Sequence, residues 1–266
     1  MHMIGGFHMN KRLARVVALA VLTVPLGLLS LTASAAPPTS GGLYPDLQTV
    51  VPTHLGIQNQ QQRTILRFSN GIANTGEGPW RMRPDFQGAV TNGVQEILDA
   101  NGNIAHEEVV STYEFHPAHN HWHIGDVALF EIREGSPTGP VVGGNSIKVT
   151  FCLIDWYKLD DNSPTTERTF FDCYTSYQGI SVGWVDQYHQ STVGQQLDLT
   201  GVAPGHYYLV STSNPEGIFL ESDYTNNTAW TSFNLNYDSK GNAKIVITGN
   251  SPCVGAGMCG ERSTNR

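Results

Sequence analysis

From Asp46 onward, apolar residues never keep a 3.6-residue spacing long enough to promise a helix, whereas short β-branched and aromatic runs recur between turn residues. The runs at 64–68, 127–132, 147–153, 206–212, 228–236 and 243–248 read as strands, with Gly-, Pro- and Asn-rich punctuation between them. This pattern predicts an all-β fold, a β-sandwich core with few short helices. Two stretches, 69–111 and 155–195, read as long loops, and long ordered loops on a β scaffold usually carry function.

Before that domain the chain carries an address. Lys11, Arg12 and Arg15 precede an apolar run at 16–31, and Ala33-Ser34-Ala35 offers small residues for cleavage, so residues 1–35 read as a signal peptide. The run falls short of the ~20 residues a membrane-spanning helix needs, and no later stretch reaches that length. Residues 36–45 read as a Pro/Gly/Ser linker, 46–250 as the functional domain and 251–266 as a tail. A secreted, extracellular protein without an integral membrane segment after cleavage is the expectation.

The chain has 15 Lys+Arg against 23 Asp+Glu, and signal removal takes three of the basic side chains and none of the acidic ones. Nucleic-acid affinity rests on neutralising phosphates with Lys and Arg, so an acidic exported chain argues against a nucleic-acid partner. Export also places the four cysteines where thiols are oxidised. Of their three possible pairings the expected one is Cys152 with Cys173 and Cys253 with Cys259. No C-x-x-C pair supports a cysteine metal site.

The strongest local signal is His116-Pro117-Ala118-His119-Asn120-His121-Trp122-His123, four of the ten histidines in eight positions. In an extended segment His119, His121 and His123 share one face, and three imidazoles on one face suit Cu(II) or Zn(II). On a straight strand the outer two would lie about 13 Å apart, so the segment must bend or twist to bring them to one ion. A solvated or pH-responsive histidine cluster is the competing reading. His54, His106 and His206, each isolated in sequence, read as structural.

Further along, Lys148-Val149-Thr150-Phe151-Cys152-Leu153 is followed by Gln178-Gly179-Ile180-Ser181-Val182-Gly183-Trp184-Val185-Asp186-Gln187-Tyr188. Then come Asp198-Leu199-Thr200-Gly201-Val202-Ala203-Pro204-Gly205, Asn214-Pro215 and Glu221-Ser222-Asp223-Tyr224-Thr225-Asn226-Asn227. Taken with the histidines, this ordered set resembles the catalytic domain of the lysyl oxidases over about residues 46–237. The resemblance implies copper at His119, His121 and His123 and a lysyl tyrosylquinone built from Lys148 and Tyr188. It implies oxidation of primary amines, with lysine in a protein or peptide as the substrate and molecular oxygen as the acceptor, releasing an aldehyde, peroxide and ammonia. His116 matches the motif's first histidine without being carried over as a ligand. Ala118, Trp184 and Gly194 stand where the animal enzymes have further cysteines, which makes this look like a reduced version of the domain.

Without that resemblance, Lys148 is a strand lysine sharing a face with Thr150 and Cys152, and Tyr188 an ordinary loop aromatic. Asp126 and Asp186 are candidates for the base that removes the substrate α-proton, because each lies close in sequence to a copper or quinone residue. Glu221, Asp223, Asn226 and Asn227 crowd four oxygen-bearing side chains into seven residues, a set suited to calcium. By similarity to the family, Asp46 and the Leu47 carbonyl complete that cage; the competing reading is an Asn/Asp-rich turn. The alternative function is an exported metal-binding or cell-surface interaction module that never forms the quinone. A zinc hydrolase would need a carboxylate base beside the metal, and no H-E-x-x-H motif points to one.

Overall fold

The computed structural model describes residues 41–86, 91–117, 120–174 and 177–264, with the side chains of 143–149 outside the description. The expected signal peptide, the first five linker residues and His119 lie outside it. Among the described residues fourteen strands make two sheets and no helix occurs. In chain order they are β1 (Leu47–Gln60), β2 (Arg63–Asn74), β3 (Trp80–Asp85), β4 (Thr91–Leu98), β5 (Ile104–His116), β6 (His121–Glu134) and β7 (Val141–Phe151). Then follow β8 (Tyr157–Lys158), β9 (Gln178–Ile180), β10 (Trp184–Tyr188), β11 (Gln196–Asp198), β12 (Gly205–Ser213), β13 (Thr228–Tyr237) and β14 (Ala243–Asn250).

The smaller sheet runs β1-β2-β10-β8, with β11 also on β2; the larger runs β14-β13-β12-β6-β5-β4-β3-β9, with β7 also on β6. Inward-facing residues of both meet in one core. Phe68 of β2 and Phe130 of β6 pack edge to face, ring centroids 4.9 Å apart, surrounded by buried Leu47, Leu66, Leu209 and Phe233. Each such side chain contributes about 1.5–3 kcal/mol by leaving water, so this seam between the sheets is what holds the sandwich closed. A second cluster of Val50, Ala73, Leu159, Val185 and Met258 forms where the C-terminal tail packs back on the smaller sheet, and Val51 N–H donates to the Met258 carbonyl at 3.0 Å.

The stretch 69–111, read from sequence as loop, is instead mostly strand: the end of β2, then β3, β4 and the start of β5. The reason is polar burial. In β4 Gln95 is fully buried, donating to the Leu220 carbonyl and accepting from the Leu220 N–H, both at 2.7 Å. Its neighbour Glu96 accepts from Arg81 at 2.9 Å and Arg83 at 2.7 Å. A strand stabilised by satisfied polar groups shows no hydrophobic run. The stretch 155–195 stays largely irregular and carries only β8, β9 and β10.

Both expected disulfides are formed, Cys152–Cys173 and Cys253–Cys259, with Cα separations of 5.7 and 5.3 Å. The first ties the end of β7 to the irregular stretch. Among the described residues no helix is long and apolar enough to cross a membrane.

Candidate functional site

The two ends of the histidine motif pair as antiparallel strands, His116 on β5 and His121 and His123 on β6. Asn120 adopts φ of 55°, a left-handed conformation that asparagine tolerates, and its N–H donates to the His116 carbonyl at 2.8 Å. The turn sets His116 of β5 directly across from His121 of β6. His121 and His123, two apart on one strand, then share a face as the period-two reading requires. Their Nε2 atoms stand 2.9 Å apart, and the His116 ring stacks on that of His123 with centroids 4.3 Å apart.

Two neutral imidazoles at that distance satisfy each other only if one donates to the other. The same separation is what two cis ligands take when each lies about 2.0–2.1 Å from one ion. The pair therefore fits neighbouring positions on one Cu(II) or Zn(II) ion, and nitrogen ligands suit both. His123 is oriented from behind, its Nδ1 lying 3.1 Å from Thr150 Oγ1 on β7, which leaves Nε2 for the ion. Among the described residues no group of three His, Cys, Asp or Glu side chains forms a complete metal cage, and the third expected ligand, His119, is not one of those residues.

Tyr188 reaches the same place from the other sheet. Its hydroxyl accepts from the Cys152 N–H at 2.8 Å and lies 3.3 Å from the Cys152 carbonyl, and its ring stacks on Phe151 with centroids 4.0 Å apart. Gln178 fixes the spacing between the contributing strands: its Nε2 donates to the Trp122 carbonyl at 2.8 Å, and its Oε1 accepts from the Leu153 N–H at 3.2 Å. Gln178 opens the motif at 178–188, but the role of this fully buried amide appears only when β6 and the segment after β7 are neighbours.

His116, His121, His123, Thr150, Tyr188 and Asp186 all line one cavity of about 500 Å³, whose remaining wall includes Phe151, Ile154, Val193 and Gln195. Asp186 and Tyr188 alternate on β10 with Gln187 between them, and Asp186 is buried. Asp126, the other candidate base, is not among the cavity-lining residues. It sits at the bulge where β6 shifts register between Ile124 and Ala128, with φ of 56°. Lys148 lies in β7 with its backbone opposite Leu129, and its side chain is outside the description.

The oxygen-rich set assembles elsewhere, where the start of β1 meets the loop before β13. Glu221 is fully buried, accepting from Asn214 Nδ2 at 2.5 Å, Asn227 Nδ2 at 2.7 Å and the Leu47 N–H at 2.9 Å. Burial pushes its carboxyl up to about 7 despite those three donors. Asp46 accepts from Asn226 Nδ2 at 3.0 Å, which joins the two segments. The Leu47 carbonyl accepts from Ser213 Oγ at 2.6 Å, and exposed Asp223 caps its own turn through the N–H and hydroxyl of Thr225. Asn226 Oδ1 and Asn227 Oδ1 are buried without a hydrogen-bond donor, two acceptors of the kind a hard cation satisfies.

Comparison with known proteins bears on the same residues. The sequence profile of the lysyl oxidase family matches residues 95–247, which hold the histidine hairpin, β7 and Tyr188. Human lysyl oxidase homolog 1 is 32% identical over 138 residues, covering 51% of this chain and 23% of that protein. Pig protein-lysine 6-oxidase is 32% identical over 117 residues, 44% of each chain. Human lysyl oxidase homolog 3 is 30% identical over 166 residues, 62% of this chain and 18% of that protein. The chain thus spans less than half the length of these relatives. Since the profile covers more than half of the chain, and the strands that wall the cavity lie inside it, the chain belongs to the lysyl oxidase family.

Proposed function

We propose that this chain is an exported, copper- and quinone-dependent amine oxidase that converts primary amines, peptidyl lysine foremost, to aldehydes. The observation that carries the reading is one cavity in which two imidazoles converge to 2.9 Å beside the ring of Tyr188, in a member of the lysyl oxidase family. Relatives named protein-lysine 6-oxidase support a lysine side chain as substrate. His119, His121 and His123 would hold the copper, and Lys148 and Tyr188 would form the lysyl tyrosylquinone. When in place, these groups supply an electrophilic carbonyl and an electron sink, through which amine, oxygen and water become aldehyde, peroxide and ammonia.

The chain's own side chains set the conditions for that chemistry. Phe151, Ile154 and Val193 offer apolar walls that pack the aliphatic stem of a lysine and shed water from it. Asp186, buried in the same cavity, takes the α-proton, while Asp126 at its bulge is the weaker candidate for that role. Thr150 fixes His123, and the Cys152 backbone fixes the Tyr188 ring, so a metal ligand and the quinone's tyrosine are both positioned before substrate arrives. Glu221, Asp46, Leu47, Asn226, Asn227 and Asp223 form a calcium site of structural purpose, the two partnerless amide oxygens being its support. The basic and apolar N-terminal segment and the two disulfides support a secreted protein.

The test is Lys148→Ala in the secreted, copper-loaded protein. The expected result is loss of amine-dependent peroxide with copper binding intact. Turnover that survives the substitution contradicts the quinone, and a wild-type protein that binds copper yet never yields peroxide is the metal-binding module instead.

A further inference from the structure

We infer that a second cleft, on the outer face of the smaller sheet, is a binding site for a small oxyanion. It encloses about 510 Å³ and is lined by Gly56, Ile57, Gln58, Arg67, His189, Gln190 and Ser191. Leu66 and Phe68 point into the core, so Arg67 between them projects to the opposite side of β2. His189 follows Tyr188 directly and turns away from the histidine cavity into this cleft.

Two observations define the ligand. His189 is 4% exposed, and its Nδ1 accepts from the Ser191 N–H at 3.2 Å, with Ser191 Oγ 2.9 Å from the same nitrogen. A backbone N–H can only donate, so Nδ1 is the acceptor and the ring's proton sits on Nε2, a buried donor with no acceptor. A metal ion needs the lone pair that this tautomer lacks; an oxyanion supplies the acceptor that Nε2–H lacks. The second observation is Arg67. Its guanidinium donates to the carbonyls of Gln190 at 2.6 Å and Thr192 at 2.7 Å and to Gln196 Oε1 at 2.8 Å, all neutral groups. No carboxylate of the described residues pairs with it, in a chain where acids outnumber bases 23 to 15. Three bonds leave two of its five donors for a ligand, and an Arg fork beside an imidazole N–H matches phosphate or carboxylate geometry.

The site also touches the main cavity through the chain. Arg67 clamps the loop at residues 190–196, and Thr192, Val193, Gly194 and Gln195 of that loop wall the histidine cavity. An anion held by Arg67 and His189 therefore stiffens one wall of the cavity from behind.

The experiment is calorimetric titration of the full-length, metal-free protein with inorganic phosphate, and separately with acetate, against chloride at matched ionic strength. Saturable binding of either oxyanion above the chloride reference is expected, weakened about tenfold or more by His189→Phe, which keeps the ring volume and removes the donor. Phosphate alone binding assigns a tetrahedral ligand; acetate binding assigns a carboxylate. His189→Phe is decisive rather than an Arg67 variant, because Arg67 also holds the loop. Neither oxyanion exceeding chloride overturns the site, as does binding unchanged by His189→Phe or lost instead on His121→Phe.

Discussion

The histidine cavity and the Glu221 cluster are built by opposite means. In the first, a short hairpin brings His116, His121 and His123 together almost by local geometry alone, and the remote contribution is Tyr188 from the other sheet. In the second, the central carboxylate is fully buried and its partners come from residues as far apart as Leu47 and Asn227. Backbone pairing within the hairpin sets His116 across from His121, so the first site stands preformed. A buried carboxylate carries a large desolvation cost unless it is protonated or balanced by a cation, so the second is a site whose stability depends on its protonation or its ligand. One region gathers its side chains within a short hairpin, the other joins the first strand to a late loop.

The largest effect is expected of Tyr188→Phe, which removes the hydroxyl held by the Cys152 backbone and leaves the packing on Phe151. Amine-dependent peroxide should fall to background, read in a coupled peroxidase assay, while the thermal midpoint moves little. Asp186→Asn should lower kcat by about 10²–10⁴-fold, the range for a positioned base, in steady-state kinetics. An equal result for Asp126→Asn would transfer the role to the β6 bulge.

In the oxygen cluster the expected effect is on stability. A carboxyl whose folded pKa is raised keeps its proton while the unfolded chain has already released its own. Glu221 therefore makes the metal-free protein lose stability as pH rises from its ordinary 4.5 to about 7, on the order of 3 kcal/mol in all. Denaturant titrations in chelator across that interval measure it; calcium should restore the loss, and Glu221→Gln should flatten the slope. The smallest effect is expected at Thr150. Replacing it by valine removes the partner of His123 Nδ1, and copper affinity should fall about 10–100-fold by competition with a chelator, with the fold unchanged.

How legible each region was from sequence follows the same division. The strands at β2, β6, β12, β13 and β14 announce themselves through apolar or β-branched runs, and the histidine motif through its spacing. By contrast β3 and β4 were hidden, because Arg81 and Arg83 interrupt one and the buried Gln95 and Glu96 occupy the other. Their stability comes from partners on other segments, which no local window contains. The roles of Gln178, Thr150 and His189 are hidden for a related reason: each acts through a neighbour 20 or more residues away, or through a cleft that exists only once β1, β2 and β10 are aligned. The Glu221 cluster was half visible, as a crowd of oxygen-bearing residues, while its tie to Leu47 came from resemblance alone.

The most direct test of the central claim is peptide mass spectrometry on the secreted protein after copper loading and aerobic incubation. The expected result is a peptide in which Lys148 is covalently joined to an oxidised Tyr188. Full copper occupancy with both residues unmodified would contradict the claim.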